Sequence, residues 1–217
     1  MPFSDYKTIS QVQTRYDIRY QESAFIKRNS TEPSKQFAEE VDFTIKNLDA
    51  FSSEAARCEL IILPVLRETY KNFYAKFSLW VQRPINYDAT LNGTPDYIVS
   101  KRSNLGKTVL EYPLVMIAEA KKNDFEQGWA QCLAELVAAQ KINEDSRLLT
   151  KSSPRSNVYG IVTDGKYWEF GALKENVFTK NSKSLSIDDL PELFGGLNHV
   201  FSLAELEISQ ASIQAID

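Results

Sequence analysis

The stretch Pro113-Leu-Val-Met-Ile-Ala-Glu-Ala-Lys-Lys122 decides how this chain folds. From Leu114 to Ala120 it is nearly unbroken apolar sequence, which predicts a strand covered on both faces and therefore central in a sheet. It then turns polar. Successive side chains of a strand alternate between faces, so Glu119 and Lys121 project to one side and Ala120 to the other. A buried strand thus delivers a carboxylate and an ammonium together at its C-terminal end. Upstream, Pro95-Asp96 begins a second predicted strand, Thr94 to Ser100, and proline is tolerated at a strand start. The intervening Lys101 to Leu110, with a turn at Asn104-Leu-Gly106, has the length of a hairpin loop. Two antiparallel strands joined this way bring Asp96 beside Glu119.

Phe77 to Tyr87 reads as the preceding strand, with Leu79 and Val81 alternating against polar neighbours and a turn at Asn92-Gly93. Before it, Ser53-Glu-Ala-Ala supplies a helix cap and an acidic first turn. Leu60, Leu63 and Leu66 form that helix's expected buried stripe, Pro64 should kink or break it, and it ends near Tyr70. Ser34 caps another helix running to about Leu48, with Phe37, Val41, Ile45 and Leu48 at helical spacing. Ser10 to Tyr20 is open between helix and strand. On the other side, Asp124 to about Asn143 carries the clearest helical pattern, with Trp129, Cys132, Leu133, Leu136 and Val137 on one face. Asp145 to Ser156 reads as a charged, serine-rich linker. Val158 to Thr163 reads as a buried strand, Asp164-Gly165 as a hairpin turn and Tyr167 to Leu173 as the returning strand. Val177 to Thr179 is a candidate for one more short strand. Ser186 caps a C-terminal helix that Gly195-Gly196 should interrupt. The order predicts an α/β fold with a mixed central sheet flanked by helices. The helix after Lys121 crosses over to lay the Val158 strand alongside in parallel.

The 217 residues are expected to form a single domain (1–217), with 1–33 as an N-terminal extension and 186–217 as a C-terminal helical segment. A hydrophobic fraction of 43% and an aromatic fraction of 12% supply a core at this size. No run reaches the roughly 18 apolar residues of a membrane span. Met1-Pro-Phe-Ser-Asp-Tyr-Lys lacks the apolar segment of a secretory signal, so a cytoplasmic location without a membrane partner is expected. Cys58 and Cys132 fall on predicted helices and read as small apolar residues rather than a disulfide. The single histidine, His199, argues against zinc hydrolases and most histidine-based catalysis. A net charge of −4 argues against coating nucleic acid by charge alone. It leaves room for a local basic patch, for which Lys101, Arg102 and Lys107 are candidates.

Metal-assisted hydrolysis of a phosphodiester needs a cation to neutralise charge on the phosphoryl oxygens and a water made nucleophilic near neutral pH. Hard divalent ions such as Mg²⁺ take oxygen ligands, typically one or two carboxylates plus waters and substrate oxygens. Asp96 and Glu119 supply such a pair if their strands are neighbours, and the Ala120 carbonyl is free to join them. Lys121 is placed to orient or deprotonate the water, or to stabilise charge on the phosphate.

Carrying Pro95-Asp96 and Glu119-Ala120-Lys121 on consecutive strands followed by a helix, the chain resembles the PD-(D/E)xK nuclease superfamily, which includes many restriction endonucleases. The resemblance covers roughly Ser52 to Thr163. It implies a restriction endonuclease-like fold and a DNA endonuclease dependent on Mg²⁺ or Mn²⁺, with Asp96 and Glu119 as metal ligands and Lys121 assisting the water. Members often add a glutamate from the helix before the first strand. Glu54 and Glu59 are the candidates, and Glu59 is preferred because it falls inside the expected apolar stripe, where an acid wants a partner. Many relatives carry a glutamine on the helix after the lysine; Gln131 is placed for this, with Gln127 one turn earlier. Ser53 to Leu66 is also similar to the corresponding helix of type I restriction subunit nuclease domains. The implied partners are nucleic acid, DNA first, and a homodimer or a larger restriction or defence complex. The alternative is a subunit that keeps the fold for nucleic-acid binding or assembly without cleavage.

Overall fold

The computed structural model describes residues 2–27, 29, 31–121, 124–150 and 157–213, with backbone alone for 147–150 and 210–213. After a 3-10 turn at Phe3–Asp5, the elements are α1 (Ile9–Tyr16), β1 (Arg19–Ser23), α2 (Lys35–Asn47), α3 (Glu54–Arg57), a π-helical turn (Cys58–Ile62) and α4 (Leu63–Tyr70). There follow β2 (Phe77–Val81), β3 (Ile85–Asn86), β4 (Asn92–Gly93), β5 (Tyr97–Lys101), β6 (Glu111–Ala120) and α5 (Phe125–Thr150). The chain continues through β7 (Val158–Thr163), β8 (Tyr167–Lys174), β9 (Val177–Asn181), β10 (Leu185–Ser186) and α6 (Leu190–Ile213).

The main sheet has the order β1-β9-β8-β7-β6-β5-β2, with β10 paired to β8. β6 lies inside it, antiparallel to β5 and parallel to β7. Every residue from Leu114 to Ala120 is buried, as a centrally placed strand requires. The parallel β6–β7 pair needs a crossover, and α5 provides it. One face of the sheet packs Tyr97, Val99, Ala118, Ala120 and Ile161 against Ile61, Ile62 and Val65 and against α6. The opposite face packs Ile98, Ile117 and Val162 against Trp129, Leu133 and Leu136 of α5. Phe3, Tyr6 and Val12 are buried in this second layer, and β1 pairs in parallel with β9 at the sheet edge. Phe3, Tyr6, Val12 and Ile18 thus belong to the core, and β1 extends the sheet with its side chains exposed. Gly165, at φ +83°, turns the β7–β8 hairpin in a conformation that a side chain would strain.

Local caps fall where the residues ask for them. Ser34 Oγ accepts from the Phe37 N–H at 3.2 Å, and Ser53 Oγ from the Ala56 N–H at 3.1 Å. The expected Leu60–Leu63–Leu66 stripe is corrected by the π turn. The Leu63 N–H bonds to the Cys58 carbonyl, five residues back, just before Pro64, which has no N–H to give. The inserted residue rotates the buried face onto Ile61, Ile62, Val65 and Leu66, leaving Leu60 and Leu63 half-buried and Glu59 exposed.

Further corrections concern element ends. The expected Phe77–Tyr87 strand stops at Val81, and Asn92-Gly93 is not a turn but the partner of Ile85–Asn86. α5 continues through residues 145–150, so that part of the expected linker is helical; residues 151–156 lie outside the described residues. α6 runs unbroken through Gly195-Gly196. A Cβ on Gly196 would stand 2.4 Å from Leu185 Cδ1, so glycine serves close packing here, and burial of the helix outweighs its poor propensity. Cys58 and Cys132 are both free thiols. Among the described residues no helix is long and apolar enough to cross a membrane.

Candidate functional site

Tyr97 pairs with Ala118 in the β5–β6 ladder. Continued one step, that register sets Asp96 opposite Glu119, and the side chains lock the two together. The Ala120 N–H donates to Asp96 Oδ2 at 2.9 Å, and the Asp96 N–H reaches Glu119 Oε1 at 3.4 Å. Asp96 Oδ1 accepts no hydrogen bond among the described residues. Glu119 is buried to 1% exposure. Its Oε2 accepts from Gln131 Nε2 at 2.9 Å and lies 3.5 Å from Lys121 Nζ. The Lys121 N–H bonds to the Thr163 carbonyl at 2.9 Å, tying the end of β6 to β7. A Cβ on Gly128 would stand 3.0 Å from Lys121 Cγ and 2.6 Å from Val162 Cγ1, so this glycine lets α5 close over the lysine stem. The sequence-derived Asp96, Glu119, Lys121 and Gln131 thus come together at one end of the β5–β6 pair, on the α5 side. Gln127, one turn earlier, makes no side-chain hydrogen bond among the described residues.

The electrostatics follow from burying several acids together. Burial, and then the charge of Asp96, pushes the Glu119 carboxyl up to about 7, against the lowering pull of its bond with Glu135 and of Lys121. For Lys121, burial works against the ammonium. The carboxylates of Glu119, Glu54, Asp96 and Glu135 outweigh it and hold Lys121 above the ordinary lysine value.

Two residues escaped the sequence reading. Glu135 is fully buried; its Oε1 accepts from Gln131 Nε2 at 3.2 Å, and its carboxyl also meets that of Glu119 directly. Burial, then the Glu119 charge, holds its carboxyl well above the usual range. The available signal was an acid one turn after Gln131, between Leu133 and Leu136 on the apolar face of α5. Arg57 is the other. It is 6% exposed, donates to the Asp164 carbonyl at 2.6 Å and the Phe51 carbonyl at 2.8 Å, and anchors α3 to the β7–β8 turn.

Glu59 and Glu54 are both exposed, which removes the burial argument for preferring Glu59. After Glu119, Glu54 is the next carboxylate in its effect on Lys121, and Glu59 is not among the largest influences on it. Lys101 closes β5, about 17 Å from Asp96 along a five-residue strand, and Arg102 and Lys107 follow it. Arg102 there bonds to the Tyr74 carbonyl at 2.8 Å. The candidate basic patch is therefore not beside the carboxylates.

Among the described residues no three His, Cys, Asp or Glu side chains converge as a ready-made metal cage. What stands here is a carboxylate pair, Asp96 holding the Ala120 N–H through one oxygen and Glu119 made reluctant to ionise by burial and then by its neighbour. That donor set fits a hard cation that keeps several waters, as Mg²⁺ does.

No family model matches the chain, and no curated protein matches it. Among solved structures it is similar to DrdV in a cryo-EM complex with DNA, at 14% identity and a TM-score of 0.42, over 77% of this chain and 14% of that one. It is also similar to the type IIG restriction endonuclease BpuSI, at 13% identity and a TM-score of 0.36, over 84% of this chain and 18% of that one. The chain thus spans less than a fifth of the length of either.

Proposed function

We propose that this chain is a divalent-metal-dependent nuclease of the PD-(D/E)xK, restriction endonuclease-like kind, with DNA as its substrate. The observation that carries the reading is the meeting of Asp96, Glu119 and Lys121 on one face at one end of a strand pair, joined by hydrogen bonds and an ion pair. Asp96 and Glu119 would hold Mg²⁺ or Mn²⁺. Ala120 is the proposed backbone ligand, because N–H and C=O of an extended residue point to the same neighbour and the Ala120 N–H points at Asp96. Glu54, rather than Glu59, is the proposed further acid. When bound, the cation supplies charge neutralisation at the phosphoryl oxygens and an acidified water. Lys121, held as the ammonium ion, is a donor with no lone pair to take up a proton, so its part is to meet negative charge on the phosphate. Gln131 does not reach outward; it fixes Glu119.

The test is incubation of the purified chain with supercoiled plasmid and with single-stranded DNA, with and without Mg²⁺ or Mn²⁺, beside Lys121→Ala. Metal-dependent cutting that the variant lacks supports the reading. Cutting that survives chelation, or equal cutting by the variant, removes it. The second reading, a nucleic-acid-binding or assembly subunit without cleavage, is favoured by the separation of Lys101, Arg102 and Lys107 from the carboxylates. A nuclease built this way takes much of its grip on DNA from a second copy or from a larger restriction or defence complex. DNA binding without cutting under all metal conditions would favour the silent subunit.

A further inference from the structure

We propose that Glu135 is a positioning residue that acts through Gln131 to fix which oxygen of Glu119 faces Asp96. The inference rests on the nuclease reading of the site. Gln131 and Glu135 lie one turn apart on the same face of α5. The Gln131 amide nitrogen has two hydrogens, and the two glutamates take them: Glu119 Oε2 at 2.9 Å and Glu135 Oε1 at 3.2 Å. With both committed, the amide cannot turn. Glu119 Oε2 is then occupied by Gln131 and Lys121, and Oε1 is left toward Asp96. Without an acceptor at position 135, the amide is free to rotate and present its own oxygen to Glu119, which repels the carboxylate it now holds. Glu135 is fully buried with its carboxyl against that of Glu119, a costly arrangement for stability alone. An apolar side chain there would pack without that cost.

The experiment is Mn²⁺ calorimetry and metal-free thermal melting on the full chain, comparing the unsubstituted protein with Glu135→Gln, Glu135→Leu, Gln131→Leu and the double variant. Glutamine keeps an acceptor oxygen for Gln131, so Glu135→Gln should bind Mn²⁺ within about threefold of the unsubstituted chain, whereas Glu135→Leu should bind at least about tenfold more weakly. The melting temperature of Glu135→Leu should hold or rise. In the Gln131→Leu background, Glu135→Leu should cost no further affinity. The inference is overturned if Glu135→Leu binds as the unsubstituted chain does, if Glu135→Gln loses as much as Glu135→Leu, or if affinity and melting temperature fall together. It also falls if the two leucine substitutions weaken binding independently. Absence of Mn²⁺ binding by the unsubstituted chain overturns the nuclease reading itself, and this inference with it.

Discussion

The Ala120 backbone N–H donates to Asp96 Oδ2 at 2.9 Å, so the acid that precedes β5 is held by the strand that carries Glu119. The two carboxylates are neighbours by strand register, and the charge of Asp96 adds to burial in raising the Glu119 pKa. Asp96→Asn removes a negative neighbour and should lower the Glu119 pKa from its value near 7; Lys121→Ala removes a positive one and should raise it. Carboxyl-carbon NMR titration of the two variants reads both shifts. Both variants should fold and lose DNA cleavage. A Glu119 midpoint that moves in the same direction in both would contradict the arrangement.

The metal-free chain should lose stability with rising pH through this site. The Glu119 carboxyl ordinarily titrates at 4.5 and is pushed up to about 7 in the folded chain. Between those values the folded state binds more protons than the unfolded one, so the contribution is fully present below 4.5 and is lost as pH rises through 7. For one group the effect amounts to roughly 3 kcal/mol at most. Urea melts across this window should show a shallower decline for Glu119→Gln. Saturating Mg²⁺ should oppose the decline, because it favours the ionised carboxylate. Parallel pH profiles for the two chains would show that Glu119 is not the group responsible.

Gly128→Ala tests the fit of α5 over the site. The new methyl would meet Val162 Cγ1, a buried β-branched side chain with little room to move, and would crowd the Lys121 stem. Overpacking outweighs the gain in helix propensity, for a net cost of about 1–2 kcal/mol. Since Lys121 must shift, cleavage should fall more than the lost stability explains. Thermal melts beside a cleavage assay at a temperature where the variant is fully folded separate the two effects. Unchanged stability in Gly128→Ala would mean that α5 is free to lift away.

Those residues were legible in the sequence to different degrees for physical reasons. The β6 strand and the Asp96–Glu119–Lys121 set lie in local patterns: an unbroken apolar run, two-residue alternation, and a loop of hairpin length. Ser34 and Ser53 caps are equally local. The phase of α4 was not legible, because the π turn at Cys58–Ile62 shifts every later position by one residue and has no periodicity of its own. Gly196 read as a breaker because the Leu185 side chain that demands it comes from β10, outside the helix. The edge strand β1 was hidden because its residues Arg19–Ser23 are all exposed, and only the distant β9 makes them a strand. Glu135 was overlooked because its purpose is visible only once Glu119 lies against α5.

The choice between Glu54 and Glu59 yields the last prediction. Glu54 opens α3, and Arg57, three residues on, fastens that helix to the β7–β8 turn through the Asp164 carbonyl and to the preceding loop through the Phe51 carbonyl. The Glu54 charge acts on Lys121 without forming a direct ion pair with it, whereas Glu59 sits on the exposed side of the π turn. Glu54→Gln should therefore lower the Lys121 pKa and weaken Mn²⁺ binding several-fold, and Glu59→Gln should leave both unchanged. Arg57→Ala should mimic Glu54→Gln in the metal titration and also destabilise the fold by about 2–4 kcal/mol, since two carbonyls inside the molecule lose their charged donor. Isothermal titration with Mn²⁺ and a denaturant melt on the three variants suffice. If Glu59→Gln weakened binding while Glu54→Gln did not, the acid would come from the π turn, and α3 would serve only to hold the sheet's edge.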